Sequence, residues 1–256
     1  MASTTDYWGP IAADVGAAVD RRIGGISVRA RREADEWLLA HSYDSAEPDD
    51  LFADDPAWTR YVTVAGDPLT LEPALPDRPV LIRPRSPIVI LPGRWGRFYF
   101  SVPLWLRFVS ESEGKQVTMT ELPSQSLSST WFGDMQTGEL CYAIDSRLLR
   151  SAPDEDDDEA FARCEVEIRN SSPDKLQFER ISVHVQYMNL YSSNGRFWSN
   201  KVEVLFKGAD QVSQLSYRPD PPEQLTRPTK VCEPREVLDR NIFKRSFNLI
   251  REITGI

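Results

Sequence analysis

Along most of the chain apolar and polar residues alternate with a period of two, the spacing of a strand that turns one face to a core. Ile26, Val28 and Ala30 share one side, residues 31–35 turn, and Trp37 and Leu39 share the next, which predicts a hairpin. Residues 98–111 and 116–121 read as paired strands across Gly114. In the second half, strands are predicted over 161–170, 175–191, 196–207 and 211–217, separated by Ser-Ser-Pro-Asp, Ser-Ser-Asn-Gly and Gly-Ala-Asp, all turn-forming sequences. Within 175–191, Ile181, Val183, Val185 and Tyr187 fall on one face, and Ser182, His184 and Gln186 on the other, which is expected to be wet or to cover another element. Between residues 68 and 92 seven prolines exclude helix and leave room only for short or edge strands, at 80–83 and 88–91.

The period changes once. After Pro221, Pro222, Pro228 and Pro234, residues 235–254 follow a helical spacing in which Leu238, Ile242, Leu249 and Ile253 fall together with Phe243, Phe247 and Ile250 beside them, and Arg240, Lys244, Arg245, Arg251 and Glu252 lie on the opposite arc. Pro234 suits a first helical turn and Gly255 an end. The expected fold is therefore all-β, mostly an antiparallel β-sandwich, with a C-terminal amphipathic α-helix. One sandwich-like domain is expected over 1–220, and a proline-rich linker with the helix over 221–256.

The net charge of −9 suggests basic partners until it is located. Residues 44–55 and 154–159 each carry −6, leaving the remainder at +3, so the acidity sits in two loops that self-repulsion should keep solvated. Neither loop has the glycine and regular ligand spacing of a calcium site. No basic stripe interleaved with aromatics stands out, so nucleic acid is not an expected partner. The first residues show no charged segment followed by an apolar one, and no run approaches the ~20 apolar residues of a membrane span. The expectation is a soluble cytoplasmic protein.

Chemistry is limited by supply. Two histidines, His41 and His184, and three widely spaced cysteines, Cys141, Cys164 and Cys232, leave little for nucleophilic, redox or metal sites, which draw on grouped imidazoles and thiolates. No cofactor and no metal are expected. A pair of carboxylates remains available to glycoside chemistry: Asp134 and Glu139 flank a turn next to Trp131, and those of Trp95, Trp105, Trp131 and Trp198 that are not core would offer stacking faces to a sugar.

The segment Trp131-Phe132-Gly133-Asp134-Met135-Gln136-Thr137-Gly138-Glu139-Leu140-Cys141-Tyr142 reads as strand, glycine-bounded turn and strand. With Ile23-Gly24-Gly25, Glu36-Trp37, Ser101-Val102-Pro103-Leu104, Ile168-Arg169-Asn170-Ser171 and Trp198-Ser199-Asn200, taken in order, it resembles a prokaryotic family, domain of unknown function 432, over roughly residues 7–220. That resemblance brings no catalytic residues; it implies a cytoplasmic β protein, with a mechanosensitive type of membrane channel as its partner. Two readings follow. The favoured one is a non-enzymatic interaction or accessory module that meets a protein or membrane partner through Leu238, Ile242, Phe243, Phe247 and Ile250. The alternative is a carbohydrate-binding or carbohydrate-active sandwich built on Trp131, Asp134, Glu139 and Trp198.

Overall fold

A computed structural model describes residues 7–43, 56–133, 138–152, 159–208 and 213–237. Strands are their main regular structure, and no helix among them is long and apolar enough to cross a membrane. Among the described residues the helical structure is one 3-10 turn, Val185–Tyr187. The chain divides into two compact units, one drawn from spans 1–74, 103–126 and 158–160, the other from 75–102, 127–157 and 161–256. Because the chain passes back and forth between them, no stretch of linker marks a boundary in the sequence.

The first unit holds two four-stranded antiparallel sheets. Ala18–Ile23, Ile26–Arg32, Glu36–Ser42 and Thr59–Val62 run as a meander, and the predicted hairpin is present, with Ala30 opposite Leu39 and Arg32 opposite Trp37. The other sheet orders Gly9–Ile11, Leu69–Ala74, Trp105–Ser112 and Lys115–Pro123. Leu69–Ala74 lies inside the proline-dense stretch and went unpredicted. It tolerates Pro73 because Gly9–Ile11 reaches only Leu69 to Leu71, so the missing N–H falls where the strand has one partner. Glu113 and Gly114 both take positive φ, as the tight turn between Trp105–Ser112 and Lys115–Pro123 requires.

In the second unit, Ser128–Phe132, Glu139–Ile144, Val80–Ile82 and Ile181–Val183 form one sheet in that order. A seven-stranded sheet is centred on Phe161–Asn170, and Leu176–Phe178 pairs with Ile88–Ile90 in a separate ribbon. The short strands expected at 80–83 and 88–91 are both there. Asn194 and Gly195, at φ 51° and 72°, close the hairpin of Leu190–Ser193 with Arg196–Ser199.

Three expectations need correction. Residues 98–111 break at Leu104 into Trp95–Pro103 and Trp105–Ser112, and the backbone N–H of Leu104 donates instead to the Ala160 carbonyl at 2.7 Å. Residues 175–191 are four elements rather than one strand, with a turn at His184; Ser182, His184 and Gln186 are buried, the covered one of the two alternatives expected for that face. The Ser-Ser-Pro-Asp turn does not close a hairpin. Phe161–Asn170 pairs in parallel with Arg196–Ser199 and Val202–Phe206, and Glu139–Ile144 in parallel with Val80–Ile82, within an otherwise mostly antiparallel structure.

The helix expected over 235–254, with Leu238, Ile242, Phe243, Phe247 and Ile250, lies outside the described residues except for 235–237, which are not helical. Part of the expected linker is structured: Thr229–Cys232 adds an antiparallel strand beside Leu190–Ser193.

Candidate functional site

Glu139 opens the strand Glu139–Ile144, opposite Phe132 in Ser128–Phe132. The turn between them brings its two glycines together: a Cβ on Gly133, at φ +108°, would stand 2.8 Å from the Cα of Gly138. Asp134 lies outside the described residues, so the structure gives no geometry for an Asp134–Glu139 pair. What Glu139 meets is His184. Val80–Ile82 pairs with Glu139–Ile144 on one side and Ile181–Val183 on the other, so Cys141 and Ser182 come within 3.6 Å and Glu139 reaches the residue just past the second strand. His184 Nε2 lies 2.9 and 2.8 Å from the two carboxylate oxygens of Glu139.

Aromatic rings complete the cluster. Tyr187 stacks on the imidazole at 5.8 Å, Tyr217 meets Tyr187 edge-on at 5.9 Å, and the His184 backbone N–H donates to the Tyr217 hydroxyl. Burial pushes the Tyr217 hydroxyl far above its ordinary range and the Cys141 thiol up to about 11, the latter partly offset by a hydrogen bond with Ser182. A thiol so placed stays protonated at neutral pH and is no nucleophile. The arrangement holds a buried histidine on a carboxylate, and Cys141 and Ser182 beside it are closed to solvent.

The two tryptophans have opposite surroundings. Trp131 is 45% exposed, across the ladder from the exposed Leu140. Trp198 is 6% exposed, in the interior strand Arg196–Ser199 with the Arg163 guanidinium over its ring, and presents no free face to a sugar.

An apolar groove of about 620 Å³, open to solvent, lies elsewhere and takes in Trp95. Its walls come from residues 84–91, 94–96 and 98, with Leu148 and Arg150. Val89, Leu91 and Trp95 stand 49%, 52% and 53% exposed there. Arg85, Arg94 and Arg150 line it with no acidic side chain among its walls, and none of the three has a carboxylate partner among the described residues. By contrast, a smaller groove of about 310 Å³ is lined by Glu167, Glu203 and Arg218, which are already engaged. Arg218 and Lys201 lie 2.8 and 3.4 Å from Glu203, and Lys201 lies 2.9 Å from Glu167. A legible signal for the larger groove did exist: from Arg78 to Ser110 the chain carries six arginines and no acidic residue, inside a protein of net charge −9.

Two residues shape this groove. Gly96 forms part of it because a Cβ there would lie 2.8 Å from Arg150 Nη1 and 2.9 Å from the Phe98 ring. With Gly96 in place, the Arg150 guanidinium lies 5.0 Å from the centre of the Phe98 ring and donates to the Arg97 carbonyl at 3.0 Å. Asn170, fully buried at the end of Phe161–Asn170, clamps the turn in the wall. Its amide donates to the Ile90 and Asp174 carbonyls, its backbone N–H to the Arg94 carbonyl, and its own carbonyl accepts from Gly93. Its side-chain oxygen accepts from the backbone and hydroxyl of Ser172.

Comparison with known proteins gives one match. Neither the curated proteins nor the solved structures contain a chain that matches this one. The family model described as "Protein of unknown function (DUF432)" matches residues 7–251, extending past residue 220 through the proline-rich segment and most of the stretch that follows. With the match spanning nearly the whole chain, the protein belongs to this family.

Proposed function

We propose that the protein is a non-enzymatic cytoplasmic interaction module whose second unit captures a partner in the groove around Trp95. One observation carries this reading: Val89, Leu91 and Trp95 are half-exposed together on one concave surface, flanked by arginines that have no acidic partner among the described residues. Apolar side chains gathered in this way mark an interaction surface, whereas single exposed ones need no explanation. Tryptophan and arginine are also the residues that concentrate binding energy at interfaces. In this reading the sheets of each unit pack as a sandwich and serve as a rigid scaffold. In the same reading Leu238, Ile242, Phe243, Phe247 and Ile250 supply a second attachment, to a membrane channel.

A photo-crosslinking residue placed at position 95 tests the reading in the native cell, with position 62 in the first unit as an exposed control. The expected result is a discrete protein adduct from position 95 that is missing from position 62. Identical patterns from both positions, or none from position 95, would refute it.

A further inference from the structure

We propose that the occupant of the Trp95 groove is an extended, acidic segment of a partner protein that carries apolar anchor side chains. The inference rests on the interaction reading above and names the chemistry of the partner.

Charge is the first argument. Arg85, Arg94 and Arg150 line the groove without a neutralising carboxylate among the described residues, whereas the charges of the smaller groove are spent on one another. Arg150 is held in place before any ligand arrives: one Nη1 proton goes to the Arg97 carbonyl, the guanidinium rests over Phe98, and Gly96 leaves the space it fills. A guanidinium fixed in this way keeps donors free for a carboxylate and loses little rotamer entropy on binding it.

Shape is the second. The groove is open to solvent along the half-exposed Val89, Leu91 and Trp95, so a small ligand inside it would leave much of that apolar surface wet. A chain segment covers it, with alternate side chains entering the groove and the others reaching the arginines. Ile88–Ile90, which forms part of the wall, pairs with a single strand among the described residues, Leu176–Phe178. Pro84, Pro87 and the arginines around it discourage pairing with a copy of itself, yet they do not repel an acidic strand. A bilayer cannot enter a recessed groove, and nucleic acid needs phosphate contacts along a longer basic track than three arginines supply.

The test uses the full chain and a fluorescein-labelled synthetic peptide of alternating Glu and Leu, followed by anisotropy. Three controls run beside it: the same peptide with Gln for Glu, single-stranded oligothymidylate, and vesicles of phosphatidylglycerol with phosphatidylcholine. The acidic peptide is expected to bind at least about tenfold more tightly than the Gln peptide. Binding should weaken with salt and fall at least about tenfold in Arg85→Glu/Arg94→Glu, whose exposed side chains leave the fold intact by circular dichroism. Leu91→Ser should weaken the acidic and Gln peptides alike, as loss of an apolar anchor requires. Equal affinity for both peptides, no effect of the arginine reversal, or no binding of the acidic peptide overturns the inference. Tighter arginine-dependent binding of oligothymidylate or vesicles also overturns it, by assigning the groove to another class of anion. Binding that appears only after residues 154–159 are replaced by a Gly/Ser linker assigns the groove to the chain's own acidic block, with the same consequence. If position 95 still crosslinks to a protein while charge has no effect, the interaction module stands and only its acidic partner falls.

Discussion

Gly24 offers the sharpest energetic test of the fold, because a second glycine provides its control. Both Gly24 and Gly16 lie in the left-handed region, at φ +60° and +84°, so an alanine at either costs about 1–2 kcal/mol of backbone strain. At Gly16 the cost ends there, since nothing lies within 4 Å of the new Cβ. At Gly24 the Cβ would meet the Ser124 carbonyl oxygen at 2.8 Å and the Ala160 Cβ at 2.9 Å. Neither neighbour is free to retreat. The Ser124 carbonyl accepts from Gly25 N–H at 2.7 Å, the Ser124 N–H donates to Leu104, and the Leu104 N–H donates to Ala160. Relieving the contact must stretch two or three of these bonds, each worth about 0.5–1.5 kcal/mol, in addition to the strain. Gly24→Ala should therefore destabilise the protein by about 3–5 kcal/mol, and Gly16→Ala by about 1–2 kcal/mol. In a chain of this size the difference corresponds to roughly 4–12 °C in melting temperature. Urea and thermal melts of the two variants side by side measure it. Equal losses, within about 1 kcal/mol, would refute the close approach of Gly24 to Ser124.

Asn170→Ala should lower stability by about 2–4 kcal/mol, since it leaves the Ile90 and Asp174 carbonyls and the Ser172 donors without their partner; a loss under about 0.5 kcal/mol in denaturant melts contradicts the clamp. Trp198→Ala should cost about 3–5 kcal/mol as a large-to-small change in a core, while Trp131→Ala stays near or below about 1 kcal/mol, and the reverse order would contradict their burial. Iodoacetamide at mildly alkaline pH should modify Cys232 first, leaving Cys141 and Cys164 unmodified until guanidinium is added, as read by peptide mass spectrometry. Burial raises the Cys141 and Cys164 thiols to about 11 and about 12, against an ordinary value of 9.0. Because these folded values are raised, the stability they contribute is complete below the unfolded value. It should drain as pH rises through about 11 and 12, and melts that stay flat over that window would refute the assignment.

Local turn chemistry made much of the fold readable. Gly114 and the Asn194-Gly195 pair announce backbone conformations that few other residues adopt, and the hairpins they close were placed correctly. Alternation located strands but not their ends or partners. It reports one-sided exposure, and Phe161–Asn170, central in its sheet, is buried on both faces along most of its length. The parallel pairing of Val166 with Val202 and of Ile168 with Val204 joins segments more than thirty residues apart with no local signal. The same limit hid the turn at His184: four alternating residues before it look like four alternating residues of a longer strand.

The site shows where local reading stops for a different reason. Glu139 was singled out as half of a carboxylate pair, yet its partner among the described residues is a histidine 45 positions away, brought to it only because Val80–Ile82 pairs on both sides. Three residues of the short motifs quoted from the sequence turn out to constrain backbone: Gly24 admits Ser124, Gly133 admits Gly138, and Asn170 binds the turn from Ile90 to Arg94. None of them presents a reactive group to solvent. Asn170 nevertheless bears on function, because the turn it holds places Leu91, Arg94 and Trp95 on the groove. A buried amide can matter to binding through the wall it holds in place, and that role leaves no trace in charge, periodicity or spacing, only in the identity of a residue able to make that set of hydrogen bonds at once.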